Sequence, residues 1–204
     1  MPMFSDAFAL LGISLVLCAG LLALLTAGRV VGAQVMWMKL LTALCFALLW
    51  IPLGEANIPV VAYVRGITAD LSITLMALAV WRIGQFAFGW RASSRQEQVT
   101  VMTAVAVAAL FLYPMALGWG DWDAYRPGWG SWGMLLALLV LCAVCWAKGL
   151  WVLPALVALA LLAWTFGLME SGNLWDYLLD PWLSLFALGF VFIKCVKAVI
   201  SRFC

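Results

Sequence analysis

Residues 7–27 read AFALLGISLVLCAGLLALLTA, a run of apolar and small residues with no charged side chain. About 20 such residues in a helix cross the hydrocarbon core of a bilayer, which is about 30 Å thick. Asp6 precedes the run and no basic residue does, so the run lacks the positively charged start of a cleavable signal peptide. The stretch therefore predicts a transmembrane helix that the mature protein retains.

The rest of the chain has the same apolar character. Of its 204 residues, 68% are hydrophobic and 10% are charged, and the mean hydropathy is +1.13. Soluble domains are about 45 to 50% apolar and about 25% charged, so a water-soluble fold would leave much of this apolar surface uncovered. We therefore expect an all-α fold, a polytopic transmembrane helix bundle that forms a single integral membrane domain over residues 1–204.

Seven segments are candidate spans: residues 7–27, a second that ends near Leu53, a third between Ile58 and Phe88, and residues 98–117, 133–147, 149–168 and 181–200. The second is free of charge only from residue 40 onwards. A full crossing there must begin near Val30, with the long Lys39 side chain reaching the interface. If this segment is re-entrant instead, the bundle has six spans.

The charged residues predict the orientation of these spans, because basic residues are retained in cytoplasmic loops. With the N-terminus outside, nine of the eleven basic residues fall on the cytoplasmic side and eight of the nine acids fall outside. The basic set is Arg29, Lys39, Arg82, Arg91, Arg95, Lys148, Lys194, Lys197 and Arg202, and only Glu97 lies among them. The sequence therefore predicts a bacterial cytoplasmic (inner) membrane protein whose C-terminus is cytoplasmic.

The third candidate span contains two charges, Arg65 and Asp70, and admits two registers. If the helix runs from Ile58 to Trp81, both charges lie inside the membrane, where ionisable residues are costly and typically functional. On one ideal helix they would point about 140° apart, so each would need a partner elsewhere. If the span runs from Ile67 to Phe88 instead, both become outer-interface residues and Arg82 reaches the cytoplasmic face.

Two predicted outer loops carry further candidate ligand-binding residues. The first, residues 118–132, reads GWGDWDAYRPGWGSW and offers Asp121, Trp122, Asp123 and Arg126. Indole faces stack on sugars, carboxylates accept hydroxyl hydrogens, and arginine holds carboxylate or phosphate groups. The second, residues 170–182, adds Glu170, and Glu55 lies on the same side. Tryptophans also collect at membrane interfaces without binding anything, so a lipid or glycan ligand at the outer face stays one of two interpretations.

Local signals predict helix starts and a packing role for a cysteine pair. Asp180 before Pro181 is typical of an N-cap followed by a first-turn proline, and Asn173 with Asp176 three residues later resembles a capping box. Cys142 and Cys145 form a CxxC inside an apolar run, without the setting that lowers a thiol pKa. We therefore expect these cysteines to pack between helices.

Composition excludes several classes of function. Histidine is absent, which removes the usual ligand of haem, catalytic zinc and copper, and we expect neither a metal site nor a cofactor. No basic block forms a footprint for nucleic acid. The expected partners are the lipid bilayer and either a membrane protein or further copies of this chain.

Three functions fit these observations. The first is a non-catalytic accessory or assembly subunit of a cell-envelope complex, which needs no catalytic residues. The second is a small transporter or channel that uses Arg65, Asp70 and an acidic, aromatic outer mouth for transport. The third is an enzyme that acts at the outer face on a lipid-linked glycan or headgroup, for which the chain offers no obvious nucleophile. The sequence therefore favours a protein without catalytic activity.

Overall fold

The computed structural model describes residues 2–27 and 34–203, and it is all-α, with 76% of the chain in helices. The predicted fold class is thus confirmed at this level. In the described part of the chain the order of elements is α1 (Pro2–Ala27), α2 (Gln34–Leu49), β1 (Pro52–Leu53), β2 (Ile58–Pro59), α3 (Val60–Thr68), α4 (Ile73–Phe88), α5 (Arg95–Ala116), a 3₁₀ turn (Arg126–Trp129), α6 (Trp132–Ala147), α7 (Val152–Thr165), α8 (Leu174–Leu178) and α9 (Pro181–Phe203). Val30 and Arg29, used above for the second span and the orientation, lie outside the described residues.

Within residues 2–27 and 34–203, three helical segments are long and apolar enough to cross a membrane: Phe4–Thr26, Arg95–Ala116 and Pro181–Ser201. The same part of the chain holds four shorter apolar helices, namely Met36–Leu49, Ile73–Phe88, Trp132–Ala147 and Val152–Thr165. Many of their large apolar side chains are exposed, including Leu44 of α2 and Leu139 of α6. Such helices are typical of a protein that lies in a membrane.

The chain divides into two compact units. Unit 1 comprises Met1–Ala92 with Leu168–Glu170, and unit 2 comprises Ser93–Gly167 with Ser171–Cys204. The expectation of one integral membrane domain over residues 1–204 stays a prediction.

Helix α1 is the centre of unit 1 and packs against α2, α3 and α4. Ile13, Cys18 and Leu22 are buried along it. Gly12 lets α4 come close, because a Cβ at this position would lie 2.4 Å from the Met76 side chain. Two antiparallel residue pairs between β1 and β2 turn the chain back between α2 and α3.

The third predicted span is not one continuous helix. Helix α3 ends at Thr68, Ala69 adopts a positive φ of 57°, and α4 begins at Ile73. The buried Ser72 accepts a hydrogen bond from the Leu75 N–H at 3.2 Å and so caps the new helix. This local cap favours a helix start that an unbroken helix from Ile58 to Trp81 would lose, so that register is wrong, and α4 instead lies within the alternative range.

The chain folds back on itself after α4. Gly89 takes the left-handed conformation, with φ of 71°, and the Trp90 N–H donates to the Gly84 carbonyl at 3.3 Å. The Trp90 ring lies directly against Gly84, where a Cβ would come within 2.2 Å of it. One turn further back, the Trp81 indole N–H donates to the Arg91 carbonyl at 3.1 Å.

In unit 2, α5 packs against α7 and α9, and α6 packs against α7. The predicted cap at Asp180 is confirmed, since its carboxylate accepts from the Leu183 N–H at 2.8 Å. The predicted capping box at α8 is only half correct. Asn173 caps the helix by accepting from the Trp175 N–H at 2.9 Å. The Asp176 carboxylate accepts hydrogen bonds from Tyr125 and Ser171 instead, as described below.

Candidate functional site

Four charged residues of unit 1 meet in one cluster, which we call the Arg65 cluster. The Arg65 guanidinium donates to Asp70 from Nε at 2.6 Å and from Nη2 at 3.2 Å. Its Nη1 donates to Asp6 at 2.6 Å, and Nη2 also donates to Glu170 at 3.1 Å. Every nitrogen of the guanidinium therefore contacts a carboxylate.

The break between α3 and α4 creates this cluster. Arg65 lies in the last turn of α3 and Asp70 lies in the connection that follows. Because the helix ends at Thr68 and Ala69 takes a positive φ of 57°, Asp70 leaves the helical path and forms a bidentate pair with Arg65. The expectation that Arg65 and Asp70 are poor partners for each other is therefore wrong, because it assumed continuous helical geometry.

The other two carboxylates come from distant parts of the sequence. Asp6 projects from the start of α1, and Glu170 comes from the short segment that belongs to unit 1. Sequence reasoning named Glu170 as a candidate but missed Asp6. The sequence did predict that Asp6 and Glu170 lie on the same side of the membrane. No local pattern, however, indicated that Asp6 would contact Arg65.

The cluster is negatively charged overall, since three carboxylates surround one guanidinium. The side chains of Arg65 and Asp70 are each 21% exposed, whereas Asp6 is 48% and Glu170 63% exposed. Hydrogen bonding to Asp70, more than any other cause, raises the pKa of Arg65 above its ordinary value. Arg65 is therefore positively charged in the cluster. Of its three carboxylate partners, Asp70 is the least exposed to solvent.

Glu55 does not join this cluster. It lies exposed in the turn between β1 and β2, next to Gly54 with its positive φ of 71°.

The candidate residues of the loop between α5 and α6 lie close together in sequence but have different surroundings. Asp123 accepts a hydrogen bond from the Tyr125 N–H at 2.9 Å and so shapes the turn. The Trp122 ring packs against Phe111 of α5 in a tilted arrangement, with 5.5 Å between the ring centroids and 53° between the ring planes. Asp121 and Arg126 are exposed. Half of this predicted set therefore supports the loop itself.

A hydrogen-bonded trio that the sequence did not predict joins the loop before α6 to the segment around α8 in unit 2. The Asp176 carboxylate accepts from the Tyr125 hydroxyl at 2.5 Å and also from the Ser171 hydroxyl. Burial, followed by the bond to Asp176, raises the pKa of Tyr125 above its ordinary value. Asn173 adds a bond from its amide nitrogen to the Tyr125 carbonyl at 3.0 Å. The trio thus fixes the 3₁₀ turn against α8.

An open apolar groove of roughly 540 Å³ lies in unit 1 beside α2, and its walls are leucine, isoleucine, valine and cysteine side chains. Cys142 and Cys145 are free thiols, and Cys145 is buried. Within the residues that the structure describes, no three histidine, cysteine, aspartate or glutamate side chains are grouped as a metal site would require.

No protein-family model, curated protein or solved structure matches this chain. The site is therefore interpreted from its own geometry.

Proposed function

We propose that this chain is a seven-span protein of a bacterial inner membrane, with its N-terminus outside, that acts as a non-catalytic accessory or assembly subunit of an envelope complex. The observation that carries the proposal is the Arg65 cluster. Its charged groups, which a transporter or enzyme would present to a ligand, contact one another instead.

The proposed spans are α1, α2, α4, α5, α6, α7 and α9, with α3 at the outer interface. Helix α1 supports this placement. Asp6 at one end contacts Arg65, and Thr26 at the other end accepts from Arg82 at 2.7 Å. These two polar contacts lie about 30 Å apart along the helix axis, which is close to the thickness of the hydrocarbon core. The shorter helices reach the interfaces through long basic side chains and local thinning of the bilayer.

The distribution of charge within each unit supports the orientation. In unit 1, the Arg65 cluster lies at the start of α1, and Arg82 contacts the end of α1. In unit 2, the start of α5, the turn after α6 and the end of α9 are basic, while the loops before α6 and α9 are acidic. Basic ends are retained in the cytoplasm, so the acidic ends are placed outside.

The accessory role is also supported by how three carboxylates of unit 2 are used. Asp180 caps α9, Asp123 shapes the loop before α6, and Asp176 joins Tyr125 to Ser171. A carboxylate that binds or activates a substrate needs oxygen atoms directed at that substrate. Here each of these three carboxylates has a structural hydrogen bond.

Native mass spectrometry of the protein, gently extracted from its own membrane, tests this role. A stoichiometric protein partner is expected in the spectrum. A chain that is released alone, with a specific lipid or glycan retained, would contradict the accessory role.

Cysteine labelling from outside tests the orientation separately. In a cysteine-free background, a single cysteine at Ser131, the cap of α6, should react with an impermeant maleimide in intact cells. A single cysteine at Ser94, the cap of α5, should react only after the membrane is opened. The reverse pattern would overturn the orientation and leave the accessory role to be judged on its own test.

One observation favours a transporter as the second candidate. The Arg65 cluster has two more negative than positive charges, and Glu170 is largely exposed, so the cluster could attract cations from outside. Transport through this cluster would require the Asp70 carboxylate. If Asp70→Asn keeps full activity in the host, this candidate fails. The enzyme hypothesis, in which Asp70 or an outer-loop carboxylate is the base, stays a prediction.

A further inference from the structure

Three basic residues, Lys39, Arg82 and Arg91, lie around the ends of α1 and α4 in unit 1, and we call them the basic end. All three are exposed. They differ from Arg65 in one respect that matters for function: the contacts that hold them are to neutral groups.

Arg82 and Lys39 are each positioned by one neutral acceptor. Arg82 Nη2 donates to the Thr26 hydroxyl at 2.7 Å, in the last turn of α1. Lys39 Nζ donates to the Ala87 carbonyl at 3.3 Å, in the last turn of α4. A guanidinium has five N–H donors and an ammonium has three, so both exposed groups keep donors that these two contacts do not use.

The fold-back after α4 brings the third charge to the same region. Because the Arg91 carbonyl accepts from the Trp81 indole, Arg91 lies beside the turn of α4 that carries Arg82. The Trp90 ring covers Gly84 and is half exposed. Trp81 and Trp90 therefore lie in the same part of unit 1 as Arg82 and Arg91, and tryptophans collect at the headgroup level of a bilayer.

Helix dipoles do not balance this charge. The C-termini of α1 and α4 each contribute about half a negative charge, which offsets roughly one of the three positive charges. The acids of unit 1 lie elsewhere: Asp6, Asp70 and Glu170 are bound to Arg65, and Glu55 is in the hairpin turn. Within the described residues of unit 1, every ion pair belongs to Arg65. About two positive charges remain for an external anion.

We propose that the basic end binds the phosphate of an anionic phospholipid. The level along α1 favours a lipid over a soluble anion, because Thr26 lies about 30 Å from Asp6 and thus at the opposite membrane interface. The unused N–H donors of the basic end can bind a phosphate. Trp81 and Trp90 in the same region are typical of the headgroup level, where a lipid phosphate lies. The inference needs unit 1 to lie in a membrane, but it depends neither on the orientation nor on the accessory role.

The test measures lipid retention by native mass spectrometry. The full chain is placed in nanodiscs of equal phosphatidylglycerol and phosphatidylcholine with palmitoyl-oleoyl chains, and the ratio of the two bound lipids is recorded after release. Three proteins are compared: the wild type, the triple variant K39Q/R82Q/R91Q, and the control K194Q/K197Q, which removes two charges from α9. Thermal unfolding of each confirms the fold.

The wild type and the α9 control should retain phosphatidylglycerol preferentially. The triple variant should bind both lipids equally, and each single substitution should reduce the preference about fivefold. Arg91→Gln alone keeps the test valid if the triple variant unfolds, because the backbone bond to Trp81 does not need the side chain. Equal retention of both lipids by the wild type, an unchanged preference in Arg91→Gln and the triple variant, or displacement of the lipid by excess inorganic phosphate would overturn the proposal.

Discussion

Replacing Arg65 with glutamine should destabilise unit 1 more than any other single surface-charge change. The variant removes the part-buried bidentate pair with Asp70, for which hydrogen bonds to charged groups contribute about 1.5 to 3 kcal/mol. It also removes the pairs with Asp6 and Glu170. Both carboxylates are well exposed, so solvent screening limits each to roughly 0.5 kcal/mol. The expected loss is about 3 kcal/mol, and mutual repulsion of the three remaining carboxylates increases it.

Thermal unfolding followed by tryptophan fluorescence measures this loss. Each kcal/mol lowers the Tm of a chain of this size by about 2 to 4 °C, so Arg65→Gln should lower it by about 6 to 12 °C. Arg126→Gln is the matched control and should change the Tm by less than about 2 °C. The Tm of Glu170→Gln should lie between those of the two variants and close to that of the control. If Arg65→Gln and Arg126→Gln unfold at the same temperature, the cluster does not hold unit 1 together and our reasoning is refuted.

Three further predictions concern unit 2. Asp180→Ala removes the cap of α9 and should lower the free energy of unfolding, measured with a chemical denaturant, by about 1 kcal/mol. Asp180→Asn keeps a capping oxygen and should lose much less. The raised pKa of Tyr125 means that the fold favours its neutral hydroxyl. Its contribution to stability is therefore complete below pH ~10 and is lost as pH rises through the raised pKa. The free energy of unfolding measured against pH should show this loss in the wild type, and Tyr125→Phe should lack it. Gly128→Ala places a Cβ in a clash with the side-chain oxygen of Asn173, the cap of α8, and should lower the free energy of unfolding by about 1 to 3 kcal/mol. Gly133→Ala, whose Cβ meets open space, should leave the Tm unchanged or raise it.

The sequence predicted those features that depend on short-range patterns. Apart from the third candidate span, the apolar runs match the described helices within a few residues, because crossing a bilayer requires length and apolarity whatever the neighbouring helices are. The cap at Asp180 was predictable for a similar reason, since the side chain bonds to a backbone N–H three residues away.

Features that depend on contacts between distant residues were not predictable. Arg65 and Glu170 are separated by 105 positions, and Tyr125 and Asp176 by 51, so no local rule joins them. The break at Ala69 was an intermediate case. Two registers fitted the sequence, and the break depends on Ser72, whose side chain caps α4.

Helix α1 has a polar contact at each end, and this has a consequence for the membranes in which the protein can reside. The pairs Arg65–Asp6 and Arg82–Thr26 fix the apolar length between them at about 30 Å. In a bilayer with longer acyl chains, one contact would be drawn into hydrocarbon unless the lipids around α1 became thinner, at a cost of a fraction of a kcal/mol per Å. In a membrane of mixed thickness the protein should therefore concentrate where the hydrocarbon core is about 30 Å thick, so its distribution would depend on the length of the lipid acyl chains.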